Sequence, residues 1–154
     1  MLKVKARVRD RIEGWIYVSN RRNPIEHGGF LFASPRTDVI VDFLFLPNVA
    51  DDPEREYMWP PHAEEIAKLY AKSKNLWLRA FFHSHPRPSF PSFEDLEFSP
   101  RFNLLEVLIT PIRRGPSQRR RCRRLMVNGW FYDVPYMLWL AYYDGEPEEV
   151  DFVR

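Results

Sequence analysis

The chain has 154 residues, 45% of them apolar and 29% charged, with a formal net charge of +2. That length holds one domain with a buried core, and the composition excludes a disordered or fibrous chain. The single Cys122 excludes an intrachain disulfide and any cysteine-rich zinc knuckle, and no stretch reaches the ~18 uncharged apolar residues of a spanning helix.

Residues 2–9 alternate apolar and basic side chains, which predicts a strand with Val4, Ala6 and Val8 on one face. They lack the apolar run of a secretory signal, so a cytoplasmic protein without membrane association is expected. Asp10 followed by Glu13 reads as a capping box opening a short helix, with Ile12, Trp15 and Ile16 inward. Trp15-Ile16-Tyr17-Val18 also suits a strand. Asn23-Pro24 breaks the chain, and Glu26-His27-Gly28-Gly29 leads into an apolar strand, Phe30-Leu31-Phe32. Ser34 to Asp38 is a turn, and Val39 to Leu46 is apolar except for Asp42, as in a central strand. Residues 47–60 form a long loop. The clearest helix runs from His62 to Lys74, where Ala63, Ile66, Ala67 and Tyr70 share a face and Glu64 pairs with Lys68.

Trp77 to Phe82 is a short aromatic strand that delivers His83-Ser84-His85 at its end. Pro86, Pro88 and Pro91 stiffen the turn that follows, and Ser92 to Phe98 reads as a short helix. Leu104 to Thr110 is another apolar strand. Between Arg113 and Arg124 lie seven arginines and no acidic residue. Leu125–Val127, the Asn128-Gly129 turn and Trp130–Val134 predict a hairpin. Tyr136 to Tyr143 suits a helix or a strand, and Val150 to Val153 pairs at an edge. No repeat or linker-like stretch interrupts the chain, so residues 1–154 read as a single domain. Strands and helices interleave, which predicts an α/β sheet with helices packed on it.

The chemistry concentrates around His83. On an extended strand the i,i+2 spacing projects the imidazoles of His83 and His85 from one face while Ser84 points the other way. Two neutral imidazoles so placed can reach one ion at about 2.0–2.1 Å. Asp95, ten residues beyond His85, offers a carboxylate that the stiffened turn can fold back toward the pair. A His, His, Asp set leaves one tetrahedral position for water, as in a catalytic zinc site. The bland reading stays open for each fragment. A lone His-x-His is commonly surface or core histidine, and Ser92 with Asp95 is also a sound helix N-terminus.

Jointly, His83-Ser84-His85-Pro86, a proline-rich spacer and Ser92-Phe93-Glu94-Asp95 resemble the signature of the JAMM (MPN-plus) zinc isopeptidases. That signature reads His-Ser/Thr-His-Pro, a spacer, then Ser-x-x-Asp. The family also takes a glutamate from a segment of the form Glu-x-x-Gly before an apolar strand, matched here by Glu26-His27-Gly28-Gly29-Phe30-Leu31-Phe32. Leu46-Pro47-Asn48-Val49-Ala50 and the helix from His62 to Lys74 resemble the family's order of elements, so the likeness covers roughly residues 10–110.

The resemblance implies a mixed central sheet flanked by helices, of the cytidine-deaminase-like JAMM/MPN type. It implies one Zn²⁺ per chain, held by His83, His85 and Asp95, with Glu26 as general base and proton shuttle and Ser92 steadying the oxyanion. All five residues are present, whereas inactive members of the fold lack some of them. One departure is that five residues separate Pro86 from Ser92, where the eukaryotic pattern has six. If the loop folds differently, Ser92 is only a cap. The implied activity is hydrolysis of an isopeptide or peptide bond after the C-terminus of a ubiquitin-like protein, that protein or its conjugate being the substrate. A non-catalytic scaffold and a zinc amidase acting on small peptides are the alternatives.

The remaining candidates read blandly. His27 is expected to be an exposed loop residue and His62 a structural residue at a helix start. Cys122 has no histidine near it in sequence to make it a nucleophile. The arginine segment reads as a solvated edge rather than a nucleic-acid surface. Trp130, Phe131 and Tyr132 are expected to fill the core.

Overall fold

The computed structural model describes residues 1–90, 104–112 and 121–154. Strand β1 spans only Lys3–Lys5, after which the chain turns directly into helix α1, Ala6–Arg22. The strand expected over residues 2–9 is thus cut short. Val8 belongs to the helix, where Val8, Ile12 and Ile16 recur every four residues and are all buried. That spacing prevails because it buries three branched side chains on one helical face. Asp10 and Glu13 lie inside α1 and form no capping box; the N-cap, Lys5, makes no side-chain cap bond. Trp15, expected inward, is exposed.

Glu13 goes inward instead. Its carboxylate is 0% exposed. It accepts hydrogen bonds from Arg123 Nη2 at 2.9 Å, the Met137 backbone N–H at 3.0 Å and Trp139 Nε1 at 2.9 Å. A buried carboxylate is tolerable only with such partners.

The other elements are β2 (Gly28–Ala33), β3 (Val39–Leu46), α2 (Ala63–Lys74), β4 (Trp77–Ser84), β5 (Leu105–Pro111), β6 (Cys122–Val127), β7 (Trp130–Pro135), β8 (Met137–Tyr142), β9 (Glu148–Glu149) and β10 (Asp151–Val153). Among the described residues eight strands form one sheet in the order β10-β1-β3-β2-β4-β5-β8-β9, and β6 pairs with β7 in a second, two-stranded sheet. The sheet is mixed: β1 runs parallel to β10 and β3, and β4 parallel to β5, while the other pairs are antiparallel. The α/β expectation is met. The segment left open between helix and strand is strand β8, and β10 lies at an edge as expected.

Every residue of β2 is buried, as a strand covered on both faces must be. Leu31 and Ala33 join Val8, Ile12, Ile16, Phe82, Val107 and Ile109 on the side of α1. Phe30 and Phe32 join Phe81 and three alanines of α2 on the other. Those alanines, Ala63, Ala67 and Ala71, form the inward face, whereas Ile66 is exposed. Small side chains let α2 lie close over the Phe30, Phe32 and Phe81 rings, a fit the bulkier Ile66 face lacks.

The β6–β7 hairpin turns through Asn128 and Gly129, with φ of 51° and 84°, as a type I′ turn requires. Its inner face rests on α1, where a Cβ on Gly14 would come within 2.9 Å of Val127 Cγ2. Two residues expected in the core stand outside it: Trp130 is 72% and Phe131 57% exposed. A two-stranded ribbon covered on one face leaves its other face and its turn to solvent. Of the arginine segment, residues 113–120 lie outside the described residues. Arg123 is largely buried between Asp10 and Glu13, with its guanidinium 4.1 Å from the Tyr136 ring centroid, so it is a packing residue rather than part of a solvated edge. Among the described residues no helix is long and apolar enough to cross a membrane.

Candidate metal centre

Side-chain parity along β4 and β5 builds the site. Phe81 faces α2 and Phe82 faces α1, so His83 again points to the α2 side, at the end where the helix no longer covers the sheet. His85, just past the strand, is held in register by its backbone N–H, which donates to Ile109 O at 3.0 Å. The two imidazoles converge as their spacing predicted, with Nε2 atoms 3.2 Å apart. Ser84 points the other way and is buried. Its hydroxyl accepts the His27 backbone N–H at 3.1 Å, and its own N–H donates to His27 O at 2.7 Å.

That pair of bonds pins the segment carrying Glu26 against the end of β4. Asn48 pins it from the other side, donating from Nδ2 to Glu26 O at 2.9 Å and to Glu56 O at 2.7 Å while its Oδ1 accepts from Ala50 and Met58 backbone N–H groups. Gly28 and Gly29 are required by close approach. A Cβ on Gly28 would lie 2.6 Å from the Tyr57 ring, and one on Gly29 1.8 Å from Leu44 O. Tyr57, so placed, donates its hydroxyl to Leu46 O at 3.0 Å, and burial pushes that hydroxyl well above its ordinary pKa.

Glu26, His83 and His85 are all buried, and each offers one ligand atom within 4.8 Å of the others. The donor set fits a divalent cation. His83 Nδ1 lies 2.8 Å from Glu106 Oε1, and His85 Nδ1 is hydrogen-bonded to Ser89 Oγ. With both Nδ1 atoms engaged, both Nε2 atoms face a common point. Tetrahedral zinc with nitrogen ligands at about 2.0–2.1 Å asks for a nitrogen–nitrogen separation of roughly 3.3–3.4 Å. The observed 3.2 Å is close to that. A cleft of about 700 Å³ opens above the cluster, walled by Tyr57, Met58, Trp59 and Phe90.

Of the five residues named from sequence, the structure brings Glu26, His83 and His85 together; Ser92 and Asp95 lie outside the described residues, as does the helix expected over 92–98. His27 is not the exposed loop residue expected. It is half-buried, with Nε2 3.0 Å from Asn20 Oδ1, and burial lowers its pKa below the ordinary 6.5. His62 is exposed, with its backbone in the left-handed region at φ 63° as the N-cap of α2. Cys122 is exposed on β6. Sequence reasoning missed Glu106, Ser89 and Asn48. A glutamate inside Leu105-Glu106-Val107-Leu108-Ile109 was the available signal for the first, since an acid amid a buried strand needs a partner. Asn48 had only its place in the Leu46–Ala50 segment that resembles the family, and Ser89 carried no signal.

No protein-family model matches the chain, and no curated protein is significantly similar to it. Solved structures do resemble it. A protein from Desulfitobacterium hafniense aligns with a TM-score of 0.64 at 18% identity over 99% of this chain and 92% of that one. A JAB1/MPN domain protein from Archaeoglobus fulgidus aligns with a TM-score of 0.52 at 22% identity over 100% of both chains. A protein from Salinibacter ruber aligns with a TM-score of 0.58 at 19% identity over 99% and 91%. At such identities the likeness concerns architecture. The fold is JAB1/MPN-like.

Proposed function

We propose that the chain is a zinc-dependent metallopeptidase that hydrolyses an isopeptide or peptide bond after the C-terminus of a ubiquitin-like protein. The observation that carries this reading is the convergence of buried Glu26, His83 and His85 beneath an open cleft. The substrate class comes from the motif resemblance. In this reading His83, His85 and Asp95 hold the ion. A zinc ion held there would supply Lewis acidity for a carbonyl and bring the pKa of a bound water down to about 7. Glu26 takes the proton of the attacking water and delivers it to the departing amine, which its place within the cluster favours. The Ser92 hydroxyl donates to the developing oxyanion.

Hydrolysis measured against a panel of ubiquitin-like fusions and short peptides, with and without a chelator, tests the proposal. Chelator-sensitive cleavage at the junction of at least one fusion is expected. Cleavage of short peptides alone assigns the site to a small-substrate amidase, and cleavage that survives removal of metal contradicts the reading.

A further inference from the structure

We infer that Glu106 is a positioning residue for the metal centre, fixing the tautomer and ring plane of His83; the inference rests on the reading of the site as a zinc centre. Glu106 sits on β5 opposite Phe81 of β4. Val107 and Ile109 belong to the core beneath α1, so Glu106 faces the opposite side, toward His83. It is 2% exposed, in a strand whose only other polar side chain is Thr110. A carboxylate in such a place is costly to bury without a partner, and replacing it with an apolar residue is the easy alternative. Here its Oε1 accepts from His83 Nδ1 at 2.8 Å.

A neutral imidazole has one N–H. Placing it on Nδ1, against Glu106, leaves the Nε2 lone pair aimed at His85 Nε2 and Glu26. The other tautomer would set the Nδ1 lone pair against the Glu106 oxygen and block Nε2 with a proton. The carboxylate therefore selects the metal-binding tautomer and makes Nε2 a stronger donor. His85 is treated differently. Its Nδ1 meets the neutral hydroxyl of Ser89, whose own backbone N–H donates to Thr110 Oγ1 at 3.1 Å. Thr110 extends from the same face of β5 as Glu106, so one strand orients both imidazoles, one by charge and one through a hydroxyl relay.

Zinc affinity of the metal-free protein, measured by competition with a chromophoric chelator, tests this in wild type, Glu106→Ala and Glu106→Gln, alongside chemical denaturation of each metal-free form. Glu106→Ala is expected to weaken zinc binding by about 10–100-fold. Glu106→Gln, which keeps an acceptor for the Nδ1 proton, is expected to recover most of that loss. Imidazole nitrogen NMR of the metal-free protein should show His83 protonated at Nδ1 in wild type and Glu106→Gln, and a mixture of tautomers in Glu106→Ala. If Glu106→Ala does not fold, Glu106→Gln decides: near-wild-type affinity with the Nδ1 proton retained supports the inference, and loss of either overturns it. Wild type that binds zinc while Glu106→Ala binds it equally well overturns this inference alone. Wild type that takes up no zinc overturns the metal reading and this inference together.

Discussion

His83 meets His85 through one ring nitrogen and the carboxylate of Glu106, on strand β5, through the other. The Nε2 side was legible in the sequence, because the i,i+2 spacing of His83 and His85 sets their direction, while Glu26 was found only through the resemblance of its segment to the family pattern. The Nδ1 side was not, because Glu106 and Ser89 reach the imidazoles only once β5 lies parallel to β4 and the turn after His85 folds back. In the proposed function Glu26 is the general base. Replacing it by glutamine keeps its size and removes its basicity. Turnover of a cleaved fusion should fall by about 10²–10⁴-fold, the usual worth of a general base, while zinc content stays at the wild-type level. Full turnover in Glu26→Gln would take the proton-shuttling role from it.

At the scale of elements, α1 carries the least expected feature. Its apolar face was readable from Val8, Ile12 and Ile16, but the strand-like alternation of residues 2–9 hid where the helix starts, and nothing local marked Glu13 as buried. Its partners, Arg123, Met137 and Trp139, lie more than a hundred residues away and tie α1 to β6 and β8. Glu13→Ala leaves the Arg123 guanidinium buried without that carboxylate and should cost about 3–5 kcal/mol in denaturant unfolding. Burial raises the Glu13 pKa above its ordinary 4.5, outweighing the opposing pull of Arg123 and the hydrogen bonds from Trp139 and Met137. Between pH 4.5 and the raised folded-state pKa the folded chain therefore holds a proton there more often than the unfolded chain does. Stability of wild type relative to the non-titrating Glu13→Gln should accordingly fall as pH rises above 4.5 and level off beyond the folded-state pKa. Melting temperatures of both proteins across that range check the sign, and a pH-independent difference would refute it.

The whole molecule shows why hydropathy misled for the hairpin. Trp130 and Phe131 look like core residues in sequence, yet the ribbon that carries them packs on α1 by one face only, outside the eight-stranded sheet. Which strands join a sheet is decided by distant pairings, such as β1 with β10, that leave no local mark in the sequence. Exposed positions tolerate change, so Trp130→Ser with Phe131→Ser should shift unfolding free energy by about 0.5 kcal/mol or less per site; a loss of about 3 kcal/mol for either, the cost of truncating a buried aromatic, would place it in the core after all.

The α/β architecture, by contrast, was legible from the interleaving of elements. The two histidines were legible as a pair because a strand's period of two fixes the side to which both point. The account depends most on what that pair holds. Zinc content per chain, measured after purification without added metal and extensive dialysis, is the direct test. One equivalent in wild type, lost when His83 and His85 are both replaced by alanine, is the predicted result; wild type without stoichiometric metal, or a double variant that retains it, would contradict the account.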